Sequence, residues 1–186
     1  MLKPEMTKSE IEQDLQGKGN FVQIDHLNRF LKNHQLSIDT KKFIFIKLAF
    51  LYDASKLFGE AAKAYDNAAS VSLTFAEKIR HYTSAAEFYA RLGAFDRVDE
   101  AVRKALAEAN SKEREDLQAT IKMMYKAHAH SLEAEMKRSH AVKFYEKLLD
   151  MRLSDSERKD IKDKLSDLYQ KLGRLQEFQA LKRGLS

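Results

Sequence analysis

Apolar residues recur in steps of three and four along nearly the whole chain, and the recurrence itself recurs. One stretch runs Phe45, Leu48, Ala49 and Tyr52, then Phe58, Ala61, Tyr65 and Ala68. The next runs Tyr82, Ala85, Ala86 and Tyr89, then Gly93, Phe95, Val98, Val102 and Ala105. A third has Tyr125, His128, Ala129 and Leu132, then Ala141, Tyr145 and Leu148. The fourth has Leu165, Ser166 and Tyr169, then Gly173, Leu175, Phe178 and Leu181. Such steps place each set on one face of a helix. Ala61, Val98, Ala141 and Phe178 begin the second half of each unit, at spacings of 37, 43 and 37 residues. A further step of 37 back from Ala61 reaches Ile24, with Gly19 and Phe21 placed before it as Gly93 and Phe95 are before Val98.

The pattern predicts helices over 8–16, 20–34, 40–54, 58–72, 77–92, 95–110, 112–135, 138–151, 155–172 and 175–184. The longer spacing, between Val98 and Ala141, is expected to lengthen the helix near 112–135, which leaves room for a kink or early end there. Thr7 to Glu10, Thr74 to Glu77 and Ser154 to Glu157 have the S/T-x-x-E form of a capping box, each before the first helix of a pair. YARLGAF (89–95) and YQKLGRL (169–175) share a tyrosine and a Leu-Gly that ends one helix and admits the next; glycine takes the left-handed conformation at little cost.

Helix pairs with an alanine between two aromatics resemble the tetratricopeptide repeat (TPR). The resemblance covers roughly residues 42–186, with a degenerate pair or cap over 1–40. The unit here is longer than that family's, no unit has the closing proline, and His128 and Ser166 stand at preferred apolar or small positions. KLFGEAAKAYDNAASV (56–71) is similar to the longer-period SNAP-like vesicle-fusion adaptors. The resemblance implies an all-α fold: a right-handed α-solenoid of about five antiparallel helix pairs, in one domain over 1–186. One repeat cannot bury its apolar face alone, so neighbours must supply the surface.

Composition agrees with helices. One proline and six glycines among 186 residues leave little for hairpins. The absence of cysteine removes disulfides and thiolate chemistry and fits a cytoplasmic protein. No window approaches a membrane span; FIFIKLAFLY (43–52) is interrupted by Lys47. The net charge of +5 is spread evenly: 13 basic and 11 acidic residues up to Ala94, then 20 and 17. A nucleic-acid binder more often gathers its charge in one stripe.

No catalytic constellation emerges, and no cofactor is expected. His128 and His130 lie about 200° apart on a helix and cannot share an ion, so no metal site is expected, and His128 reads as a core-edge side chain. No G-x-S-x-G or phosphate-binding loop is present; GKGN (17–20) reads as a turn between the first two helices. Tyr125, Phe144 and Tyr145 beside the basic segment 135–147 could stack bases, but the repeat pattern claims Tyr125 and Tyr145 for packing.

The resemblance places the binding surface on the first helix of each pair. Its non-packing positions are Phe43, Ile46, Phe50 and Asp53; Arg80, Thr83, Glu87 and Arg91; Met123, Lys126, His130 and Glu133; and Asp160, Asp163, Asp167 and Gln170. Chaperone-binding members hold a carboxylate in a Lys/Asn/Arg clamp; Phe43, Ile46, Lys47 and Phe50 contain no asparagine, which argues against that ligand. The expectation is a non-enzymatic protein-protein scaffold or adaptor that takes a peptide or helix in its concave groove. Phe43, Ile46 and Phe50 would anchor an apolar segment, with Arg80, Glu87, Arg91, Lys126 and His130 as polar contacts and the cations facing acidic groups. The 1–40 pair would otherwise fold over the apolar stripe. The alternatives are self-association through that stripe and a nucleic-acid- or ribosome-associated adaptor.

Overall fold

The computed structural model of the chain describes residues 2–32 and 35–184. Among them are ten helices and no strand: α1 (Lys8–Leu15), α2 (Asn20–Leu31), α3 (Ile38–Ala54), α4 (Phe58–Val71), α5 (Phe75–Arg91), α6 (Phe95–Glu108), α7 (Ser111–Ala134), α8 (Arg138–Leu149), α9 (Asp155–Lys171) and α10 (Leu175–Lys182). Every expected helix is present, and ends differ by a few residues. The expected end of α2 at 33–34 lies outside the described residues, as does Leu185, expected to dock with the C-terminal tail. α7 is one continuous helix of 24 residues, against 17 in α3, α5 and α9. Its extra length absorbs the longer spacing between Val98 and Ala141.

The chain divides into two compact units, Met1–Arg114 and Glu115–Ser186. In the first, α2 packs on α3, α3 on α4, α4 on α5 and α5 on α6; in the second, α8 packs on α9 and α9 on α10. These pairings are all between consecutive elements, consistent with a helical repeat. The alanines meet between helices: Ala49, Ala61, Ala68, Ala85, Ala86, Ala105, Ala129 and Ala141 have no exposed surface. Aromatics fill the remaining space, as where Tyr65 stacks on Phe88 with ring centroids 5.7 Å apart.

Each helix pair turns on one left-handed residue: Gly17, Lys56, Gly93, Met136 and Gly173 all have φ between 58° and 77°. The last four turns share their closure. The amides of Leu57, Ala94, Lys137 and Arg174 donate to the carbonyls of Tyr52, Tyr89, Leu132 and Tyr169 at 2.8–3.0 Å. This six-residue closure satisfies carbonyls that the ending helix leaves open. The tyrosines are used twice. Tyr89 Oη donates to Asp66 of α4, and Tyr169 Oη to Glu146 of α8, each at 2.8 Å and each 23 residues back. Tyr52 Oη accepts from Asn28 of α2 at 2.9 Å. The repeated tyrosine thus closes its own turn and ties the pair to the helix before it. Burial, then the carboxylate bond, pushes the Tyr89 and Tyr169 hydroxyls well above the ordinary tyrosine pKa.

The caps follow the sequence with one variation. Thr7 and Ser154 form complete capping boxes with Glu10 and Glu157. Thr74 accepts the Glu77 amide, while the Glu77 carboxylate meets Lys42 at 2.6 Å. Ser37 caps α3, and Asn110 and Glu113 bond reciprocally at the start of α7.

Two turns place a side chain where glycine is cheaper by about 1–2 kcal/mol. Met136→Gly is expected to raise stability by about 0.5 kcal/mol, because glycine's unfolded-state entropy offsets part of the gain and Met136 is 64% exposed. Gly173→Ala is expected to cost about 1 kcal/mol from the backbone alone, since a Cβ there meets nothing within 4 Å. Urea unfolding of both variants checks the opposite signs; destabilisation by Met136→Gly would contradict them.

Candidate functional site

Ion pairs fix how first helices lie side by side within each unit. Lys8 meets Asp39 at 2.6 Å and Lys47 meets Glu12 at 3.3 Å, joining α1 to α3. Lys42 meets Glu77 at 2.6 Å near the starts of α3 and α5, and Arg91 meets Asp53 at 3.3 Å near their ends. Start to start and end to end, α3 and α5 run in the same direction. Lys122 and Lys126 of α7 meet Glu157 of α9 at 3.0 and 2.7 Å, and Lys164 of α9 meets Glu133 of α7 at 3.4 Å. Three of these pairs, Glu12–Lys47, Lys42–Glu77 and Lys122–Glu157, share an offset of 35 residues.

In the first unit the candidate surface lies on α3 and α5. Phe50 is 60% exposed, with its ring edge on Tyr65 at 6.5 Å; Phe43 and Ile46 are half-buried. Ile11 and Leu15 of α1 and Ile24, Leu27 and Phe30 of α2 are buried, and the ion pairs hold α1 along the 39–47 stretch of α3. The N-terminal pair therefore packs on the unit yet leaves Phe50 open. Arg91 is held from several sides: Glu87 at 2.8 Å, Asp53 at 3.3 Å, and the Phe88 and Phe58 rings at 4.8 and 5.7 Å. Arg80 and Glu87 are exposed. Next to Arg80, His81 is buried and stacked on Tyr65 at 6.1 Å. Burial, then the Arg80 charge, pushes the imidazole below the ordinary histidine pKa.

In the second unit Lys126 and His130 of α7 line a groove of about 650 Å³ with Tyr145 of α8 and Glu157, Asp160, Ile161, Asp163, Lys164 and Asp167 of α9. Tyr145 donates to Glu133, and burial followed by that bond raises its pKa well above the ordinary value. Glu157 caps α9 through Ser154 while holding two lysines. Its bond to Lys126, then the Ser154 amide, then Lys122, drives its carboxyl well below the usual carboxylate range. Among the described residues no three His, Asp or Glu side chains gather to hold a metal ion, and no helix is long and apolar enough to cross a membrane.

The structure thus brings Phe50, Glu87 and Arg91 together in one unit and Lys126 and His130 together in the other. Sequence reasoning passed over Glu157 as a cap alone and left Tyr145 and Ile161 out of the groove; the 35-residue offset between opposite charges was the available signal. Tyr125, Phe144 and Tyr145 are 4%, 0% and 2% exposed, so none offers a face to a base. His128 stacks on Phe144 at 5.5 Å, the core-edge position expected of it. Comparison of the chain with models of known protein families returns no match, and comparison with curated proteins returns none either.

Because Glu157 is depressed in the folded chain, its contribution is present above the unfolded glutamate pKa of about 4.3 and is lost as pH falls below it. Glu157→Gln is expected to lower the urea midpoint at pH 7. The gap from wild type should close as pH falls from about 4.3; a gap that persists unchanged in acid would assign the effect to packing.

Proposed function

We propose that the helix pairs are tetratricopeptide-like repeats, stacked as a right-handed solenoid within each unit, and that the protein is a non-catalytic scaffold or adaptor of the cytoplasm. It binds a peptide or helix of a partner protein on the faces of its first helices. The observation that carries this reading is Phe50, a large aromatic left 60% exposed on α3, where Phe43, Phe45 and Ile46 are half-buried and Ile44, Leu48 and Leu51 are buried. An exposed aromatic beside half-buried Phe43 and Ile46 offers the anchor that helix-in-groove recognition uses. Arg91 and Lys126 already have carboxylate partners, so specificity in this reading comes from rearranged charge pairs around an apolar contact. The absence of cysteine suits a reducing compartment. A nucleic-acid adaptor has less support, since the rings beside the basic segment are buried.

Phe50→Glu is expected to leave the thermal midpoint within about 2–3 °C, as an exposed substitution should. It should reduce capture of the partner from native lysate by about tenfold or more, the scale of losing one buried aromatic contact. Equal capture by wild type and variant would remove this surface from the reading.

A further inference from the structure

The groove of the second unit has the opposite charge to the chain that builds it. Its lining carries four carboxylates, Glu157, Asp160, Asp163 and Asp167, against two lysines, in a chain of net charge +5. The lysines are occupied: Lys126 by Glu157 at 2.7 Å and Lys164 by Glu133 at 3.4 Å. Asp167 is paired with Lys171 at 2.6 Å. Asp160 and Asp163 form no ion pair among the described residues, and both are exposed. The groove therefore attracts cations and repels phosphates.

The spacing of the acids says what kind of cation. Asp160, Asp163 and Asp167 lie on one stripe of α9, spread over about 10 Å at 1.5 Å per residue. They do not converge with other ligands into a cage. A row suits charges spaced along a chain, at three- or four-residue intervals on a facing helix. Tyr145 and Ile161 line the groove but are 2% and 4% exposed, so its 650 Å³ gives room for a helix held by its charges rather than by an apolar face. We propose that this groove receives a basic helical segment of a partner protein, with its lysines or arginines along Asp160, Asp163 and Asp167. The inference rests on the protein-binding reading above and names the chemistry of the partner at the second unit.

The probes are a short amphipathic Leu/Lys peptide and the same peptide with every Lys replaced by Glu, titrated calorimetrically into the full chain. The Leu/Lys peptide is expected to bind at least about tenfold more tightly, and to weaken steeply at high salt. Asp160→Asn with Asp163→Asn should weaken it about five- to tenfold, the scale of two surface charge pairs. Asp150→Asn with Glu177→Gln, two exposed acids outside the groove lining, should change it less than twofold. Circular dichroism checks that both double variants stay folded. Binding of neither peptide, equal binding of both, or equal losses in the two double variants would overturn the inference. The failures separate: capture that survives Phe50→Glu removes the first-unit surface from the binding reading, whereas charge-indifferent peptide binding removes the basic partner at the second unit.

Discussion

No helix in this protein can hide its apolar stripe without a neighbour, and the tyrosine near the end of three of the first helices is where that dependence is fastened. The Tyr89 carbonyl accepts the bond that closes the turn at Gly93, its ring is buried, and its hydroxyl reaches Asp66 on the preceding helix. Tyr169 does the same at Gly173 with Glu146. One residue therefore couples local chain reversal to tertiary stacking. The alanines at its side matter equally, because a larger residue at Ala85 or Ala86 would hold the helices apart in a close-packed interior. Turn and interface form together, which is why the pattern repeats as a block.

Charge supplies a second layer of order. Pairs such as Lys42–Glu77 and Lys122–Glu157 join alternate helices at a fixed offset, so within each unit the first helices lie parallel and their outward faces adjoin. Half-buried at the surface, such pairs add little stability singly. Their larger consequence is for recognition. Arg91 and Lys126, cations that would otherwise face an acidic ligand, are drawn into the scaffold, while Asp160 and Asp163 are left facing the groove.

All ten helices were legible because helix periodicity and capping are local. Thr7, Ser154, Gly93 and Gly173 announce starts and reversals whatever surrounds them. Lys56 and Met136 were harder, since nothing in their side chains favours the left-handed conformation they adopt; the matching offset from Gly93 is the only trace of it. The candidate site was read in part. The stripes containing Phe50, Arg91, Lys126 and Asp160 followed from the tetratricopeptide resemblance, which points to the first helices, and from helix periodicity within them. The carboxylate that each cation would find did not, because it lies on a different helix.

The sequence by itself determined the helices, their boundaries to within a few residues, the near-constant length of the unit and the face of each helix that must be buried. These follow from spacing along one chain and need no neighbour. Only the tertiary structure decided that Phe50 stays open beside a packed N-terminal pair, that Glu157 serves a cap and two lysines at once, and that α7, α8 and α9 enclose a groove with an acidic wall. Those outcomes depend on which side chains meet across helices. A repeat period constrains such meetings, but the packed backbone sets their distances.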